Sequence, residues 1–71
     1  MYSFLVVIEK VGRTFSAYVP DLPGCVATGK NRKTVETRIH EAIAFHIQGL
    51  REDSLPIPES VAIAEVVLVN A

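Results

Sequence analysis

A chain of 71 residues with 49% hydrophobic and 21% charged side chains has the composition of one small globular domain and lies outside the disordered class. Its net charge of −1 gives no global electrostatic footprint for nucleic acid, and no apolar stretch approaches the ~20 residues of a membrane helix. The single cysteine, Cys25, excludes an internal disulfide and fits a reducing compartment.

No basic region precedes the short apolar run 4–8, so a secretory leader is not expected and a cytoplasmic setting is. Charge is unevenly distributed. Residues 1–38 carry six basic and three acidic side chains, and residues 39–71 carry one basic and five acidic. Such an asymmetry either steers a partner or reflects the fluctuation of short windows.

Residues 2–10, rich in β-branched and aromatic side chains, predict a first strand. Val11-Gly12-Arg13 predicts a hairpin turn. Residues 14–19 alternate, with Phe15, Ala17 and Val19 on one side and Ser16 and Tyr18 on the other. Pro20 cannot donate a ladder hydrogen bond, so pairing should stop there. Pro23-Gly24 suits the two central positions of a type II turn, and residues 25–29 predict a short third strand.

A helix is predicted from Arg32 to about Asp53, with Asn31 as N-cap. Val35, Ile39, Ala42, Ile43, His46, Ile47 and Leu50 form one apolar stripe at helical spacing. Leu55-Pro56-Ile57-Pro58 must leave the helical region, because residues before proline avoid it. Residues 61–69 predict a last strand, apolar except at Glu65 among its larger side chains. The expected fold is α+β in the order β-β-β-α-β: a three- to four-stranded, mainly antiparallel sheet with one long helix on one face. The first and last strands are apolar on both faces, whereas one helix covers only one face. Either loops cover the remainder or a partner does; a homo-oligomer, dimer or tetramer, is the expected form of self-association.

The chain resembles the HicB-like (UPF0150-like) antitoxins of bacterial toxin–antitoxin systems. The resemblance rests on the opening strand Tyr2 through Glu9, on Phe15-Ser16-Ala17-Tyr18-Val19-Pro20-Asp21-Leu22-Pro23-Gly24-Cys25, and on Ala27-Thr28-Gly29. It continues in Glu41-Ala42-Ile43-Ala44-Phe45-His46-Ile47-Gln48-Gly49-Leu50-Arg51-Glu52 and Ile57-Pro58. It implies a partial ribonuclease H-like fold, a single antitoxin domain over residues 1–71, and a non-enzymatic role. In that family the domain binds a small basic HicA toxin, an RNA-cleaving protein of double-stranded-RNA-binding fold, and covers its active surface. Longer members add a C-terminal DNA-binding module. Because the sequence stops at Ala71, operator binding is not expected of it. The alternatives are an orphan homo-oligomeric regulatory module and a weak nucleic-acid-binding domain.

The resemblance makes Pro20, Asp21, Leu22, Pro23 and Gly24 the signature loop and the candidate partner contact. Asp21 could bond backbone N–H groups two residues on in an Asx-type turn, or present a polar contact beside an apolar one from Leu22; both roles are compatible. Relatives usually place acidic residues at the helix start, whereas this chain has Lys30, Arg32 and Lys33. These are either a solvated surface or an anion contact.

Nuclease chemistry would need several carboxylates converging on metal ions. Nothing in the spacing of Glu9, Asp21, Glu36, Glu41 and Glu65 forces that convergence. His40 and His46 lie about 120° apart around a helix and form no metal pair. His46, inside the stripe, is either a packed histidine with one hydrogen-bond partner or a pH-sensitive or partner contact. Cys25 has no local base and reads as a small buried hydrophobe. No catalytic residue, metal site or cofactor is expected.

Overall fold

The computed structural model describes residues 2–71. Three strands precede one helix: β1 (Val7–Val11), β2 (Thr14–Tyr18), β3 (Val26–Gly29) and α1 (Arg32–Glu52). The strands form an antiparallel sheet in the order β1-β2-β3. This is the expected α+β arrangement.

Local chemistry sets each junction. β1 and β2 are joined by the two-residue turn Gly12-Arg13, with Val11 opposite Thr14. Gly12 has φ +60° and Arg13 is not in the left-handed region, the pattern of a type II′ hairpin turn, which matches the strand twist. The Thr14 hydroxyl donates to the Val11 carbonyl at 3.1 Å. At the helix start, Asn31 has extended backbone and its side-chain oxygen accepts from the Thr34 N–H at 2.8 Å, the expected N-cap. At the helix end, Ser54 N–H donates to Arg51 O at 3.1 Å and Leu55 N–H to Leu50 O at 2.8 Å. Ser54 has φ +55°. This is a Schellman closure with serine where glycine is favoured.

The helix lies over β3 and β2. The core consists of Ala17, Val19, Leu22, Cys25, Val35 and Ile39, with Phe4, Val6, Ile8, Phe15, Ala27, Ala42, Ile43 and Ile47 packed around it. The stripe therefore faces the sheet as its spacing predicts, buried most deeply at Val35 and Ile39. The close approach of β3 to the helix depends on Gly29. A Cβ there would stand 2.8 Å from the Val35 nitrogen. Arg38 spans the same junction, donating to the Thr28 carbonyl at 2.9 Å.

Two expectations about strands are revised. The first strand begins at Val7 rather than Tyr2; Phe4, Leu5 and Val6 are half-buried but precede the ladder. Residues 61–69, expected as a fourth strand, belong to no ladder of this sheet. Their composition favours a strand, but a strand needs a hydrogen-bonding partner edge. The radius of gyration is 14.0 Å and the longest axis 48 Å, against about 11 Å for a compact chain of this length.

Candidate partner-binding surface

The loop after β2 consists of two successive turns. Leu22 N–H donates to Val19 O at 3.1 Å, closing a turn around Pro20-Asp21. Cys25 N–H donates to Leu22 O at 3.0 Å, closing a second around Pro23-Gly24. Gly24 has φ +83°, as the second central position of a type II turn requires. Val19 N–H donates to Cys25 O at 3.2 Å and ties the two ends together. Proline stands at the first central position of both turns, where its fixed φ is already correct. The loop is thereby held rigid by its own backbone.

Its side chains divide by direction. Pro20, Pro23 and Gly24 are exposed, and Asp21 is half-buried. Leu22 has no exposed surface, so the expected apolar contact from this residue is corrected. The two turns fold its side chain inward, where it anchors the loop to the core. The local Asx turn expected of Asp21 is also corrected, because the residue two positions on is Pro23, which has no N–H to donate. The Asp21 carboxylate accepts instead from the backbone N–H groups of Val61 at 3.0 Å and Ala62 at 2.9 Å. Sequence spacing gives no signal for this contact.

The sheet face turned away from the helix adjoins this loop. Side chains alternate along each strand, and the register places Val7 opposite Tyr18 and Tyr18 opposite Val26. These three form an apolar row across the sheet. Val26 is 65% exposed and Tyr18 42%. The next row, Glu9, Ser16 and Thr28, is polar. The apolar row abuts the loop, since Tyr18 immediately precedes Val19 and Val26 immediately follows Cys25. The alternation of Ser16 and Tyr18 was the sequence signal for this face; the row itself emerges only from the register.

The remaining candidates are dispersed. Lys30, Arg32 and Lys33 are exposed at the helix start, and Arg32 pairs with Glu36 at 2.8 Å. That i, i+4 pair offsets part of the unfavourable charge beside the helix dipole. His46 is half-buried on the stripe and His40 is exposed. Cys25 is buried, and burial pushes its thiol pKa up, so it is poorly suited to nucleophilic work. Among the described residues, no three His, Cys, Asp or Glu side chains are grouped to hold a metal ion. No helix among them is long and apolar enough to cross a membrane.

Comparison with known proteins places this geometry. The profile described as HicB-like antitoxin of bacterial toxin–antitoxin system matches residues 4–70. The chain belongs to the HicB-like antitoxin family. A UPF0150 protein of Helicobacter pylori is 41% identical over 49 residues, 69% of this chain and 68% of its own length. An uncharacterized 14.9 kDa protein from the rep-hol intergenic region of Haemophilus phage HP1 is 40% identical over 55 residues, 78% of this chain. The chain covers only 41% of that phage protein. No solved structure matches the chain significantly. In this HicB-like chain, the signature loop connects the two strands that carry Tyr18 and Val26.

Proposed function

We propose that this chain is an antitoxin that binds a small, basic HicA-type toxin and blocks its mRNA cleavage by covering the active surface. The observation that carries the reading is the Val7–Tyr18–Val26 row, half-buried at Val7 and exposed at Tyr18 and Val26, beside the rigid Pro20–Gly24 turns, in a chain of the HicB-like family. An apolar row with a tyrosine at its centre is the composition of an interface core, where aromatic side chains are enriched and charges depleted. Pro20, Asp21, Pro23 and Gly24 supply a preformed rim that loses little entropy on binding.

Occlusion needs no catalytic group in the antitoxin. It needs only surface complementarity and enough affinity to outlast the toxin's encounters with RNA. Lys30, Arg32 and Lys33 lie at the helix start and contribute little to docking a basic protein, which the sheet face suits better. The test is co-purification of the chain with a toxin encoded beside it, followed by an RNA-cleavage assay. A stoichiometric complex without cleavage supports the reading; a toxin that neither binds nor loses activity refutes it.

A further inference from the structure

We infer that Asp21 is the carboxylate on which a cationic side chain of the basic partner lands, and that by holding Val61 and Ala62 it brings Val61 and Ile63 into the same interface. The inference rests on the toxin-binding reading above and names the partner chemistry that the signature loop selects.

The two oxygens of Asp21 do different work. Oδ2 accepts both backbone bonds, from Val61 at 3.0 Å and from Ala62 at 2.9 Å. Oδ1 takes no hydrogen bond among the described residues. No buried side-chain oxygen or nitrogen among them lacks a partner, so Oδ1 is open to solvent although Asp21 as a whole is half-buried. The one ion pair among the described residues is Arg32–Glu36, so the Asp21 charge has no countercharge there.

The two backbone bonds fix the carboxylate before any partner arrives, and a preorganised acceptor loses little entropy on binding. A protein surface docking over Asp21 strips water from a charge that its own chain leaves unpaired. A neutral or acidic surface would bury that charge uncompensated, which is strongly unfavourable. A cation on Oδ1 satisfies it with a charge-assisted bond. Each carboxylate oxygen has about two lone-pair sites, and those of Oδ2 already serve two donors. The site therefore suits a single-point contact, such as a lysine ammonium, better than the two-bond fork of arginine.

The apolar part of the contact comes from beyond the helix. Ala62 is half-buried between Val61, 71% exposed, and Ile63, 88% exposed. Both lie within one residue of the amides that Asp21 holds, and Pro20 and Pro23 are exposed in the loop itself. Apolar contacts around a charged bond exclude water from it and so strengthen it.

The test uses the full chain with the toxin encoded beside it. Affinity is measured by calorimetry at two salt concentrations, and amide exchange at Val61 and Ala62 is compared between free and bound chain. The complex is expected to slow exchange at both amides. Asp21→Asn keeps a carbonyl acceptor for the backbone bonds but loses the charge; it is expected to weaken binding about tenfold or more and to flatten its salt dependence. The Val61→Ser/Ile63→Ser variant is expected to weaken binding while keeping the salt dependence. Equal binding and inhibition by Asp21→Asn, unchanged affinity of the Val61→Ser/Ile63→Ser variant, or unchanged exchange at the two amides overturns this inference and leaves occlusion standing. A toxin that does not bind the unaltered chain overturns both. If Asp21→Asn does not fold, the exchange comparison on the unaltered chain decides alone.

Discussion

Asp21 and Ala62 are joined by a 2.9 Å hydrogen bond across a separation of 41 residues. With its partner bond to Val61, this carboxylate links the signature loop to the segment beyond the helix. One rigid loop thus performs two tasks: it turns the chain from β2 to β3, and it holds the backbone at Val61 and Ala62.

Asp21→Ala should release that anchor. Hydrogen bonds to a charged acceptor contribute about 1.5–3 kcal/mol, and this partly exposed site belongs at the low end. The expected outcome is loss of hydrogen-exchange protection at the Val61 and Ala62 amides with little change in the core amides. Asp21→Asn, which keeps one carbonyl acceptor, should retain part of the protection.

Gly29 and Gly49 should respond oppositely to alanine. At Gly29 the new Cβ meets helix backbone at 2.8 Å, which cannot move aside as a flexible side chain would. Overpacking of this kind costs about 1–3 kcal/mol. At Gly49 nothing lies within 4 Å, so alanine should stabilise by about 1 kcal/mol through helix propensity. Urea denaturation midpoints would show the two shifts in opposite directions.

Ser54→Gly should stabilise the helix end. Ser54 holds φ +55° in the Schellman closure, a conformation that costs a side chain more than it costs glycine. After the extra backbone entropy of glycine is subtracted, a gain of ~0.5–1 kcal/mol remains. Thermal unfolding followed by circular dichroism would detect it as a higher midpoint.

Cys25 gives a pH dependence of defined sign. Burial raises its thiol above the ordinary value of 9.0, so the unfolded chain releases this proton first as pH rises. Its contribution is fully present below 9.0 and is lost as pH climbs through the higher folded value. Stability measured on both sides of 9.0 should fall more steeply in the unaltered chain than in Cys25→Ala. The thiol should also react slowly with an aromatic disulfide reagent until the chain is unfolded.

The features legible in the sequence are those that neighbouring residues decide. Gly12, Pro23-Gly24, Asn31 and the Val35–Ile39 spacing each fix a turn, a cap or a buried face within a few positions, and the structure places them as their chemistry requires. Contacts between distant segments were not legible. Asp21 lies in a loop whose composition suggests a local turn, yet its partners lie beyond the helix. Leu22 sits among turn residues and is nonetheless fully buried, because two successive turns reverse its direction. Residues 61–69 have strand composition, but composition does not supply the edge they would pair with. The Val7–Tyr18–Val26 row was half legible: alternation gave the face, and only the register gave the row.

The most direct measurement is the affinity between this chain and a co-encoded HicA-type toxin, compared with that of the Tyr18→Glu/Val26→Glu variant. Both side chains are exposed, so the variant should keep its fold, as checked by its circular dichroism. Burying charge at the centre of an apolar interface should weaken binding by roughly 100-fold or more and restore RNA cleavage. Binding of the folded variant at unchanged affinity would contradict occlusion through this face.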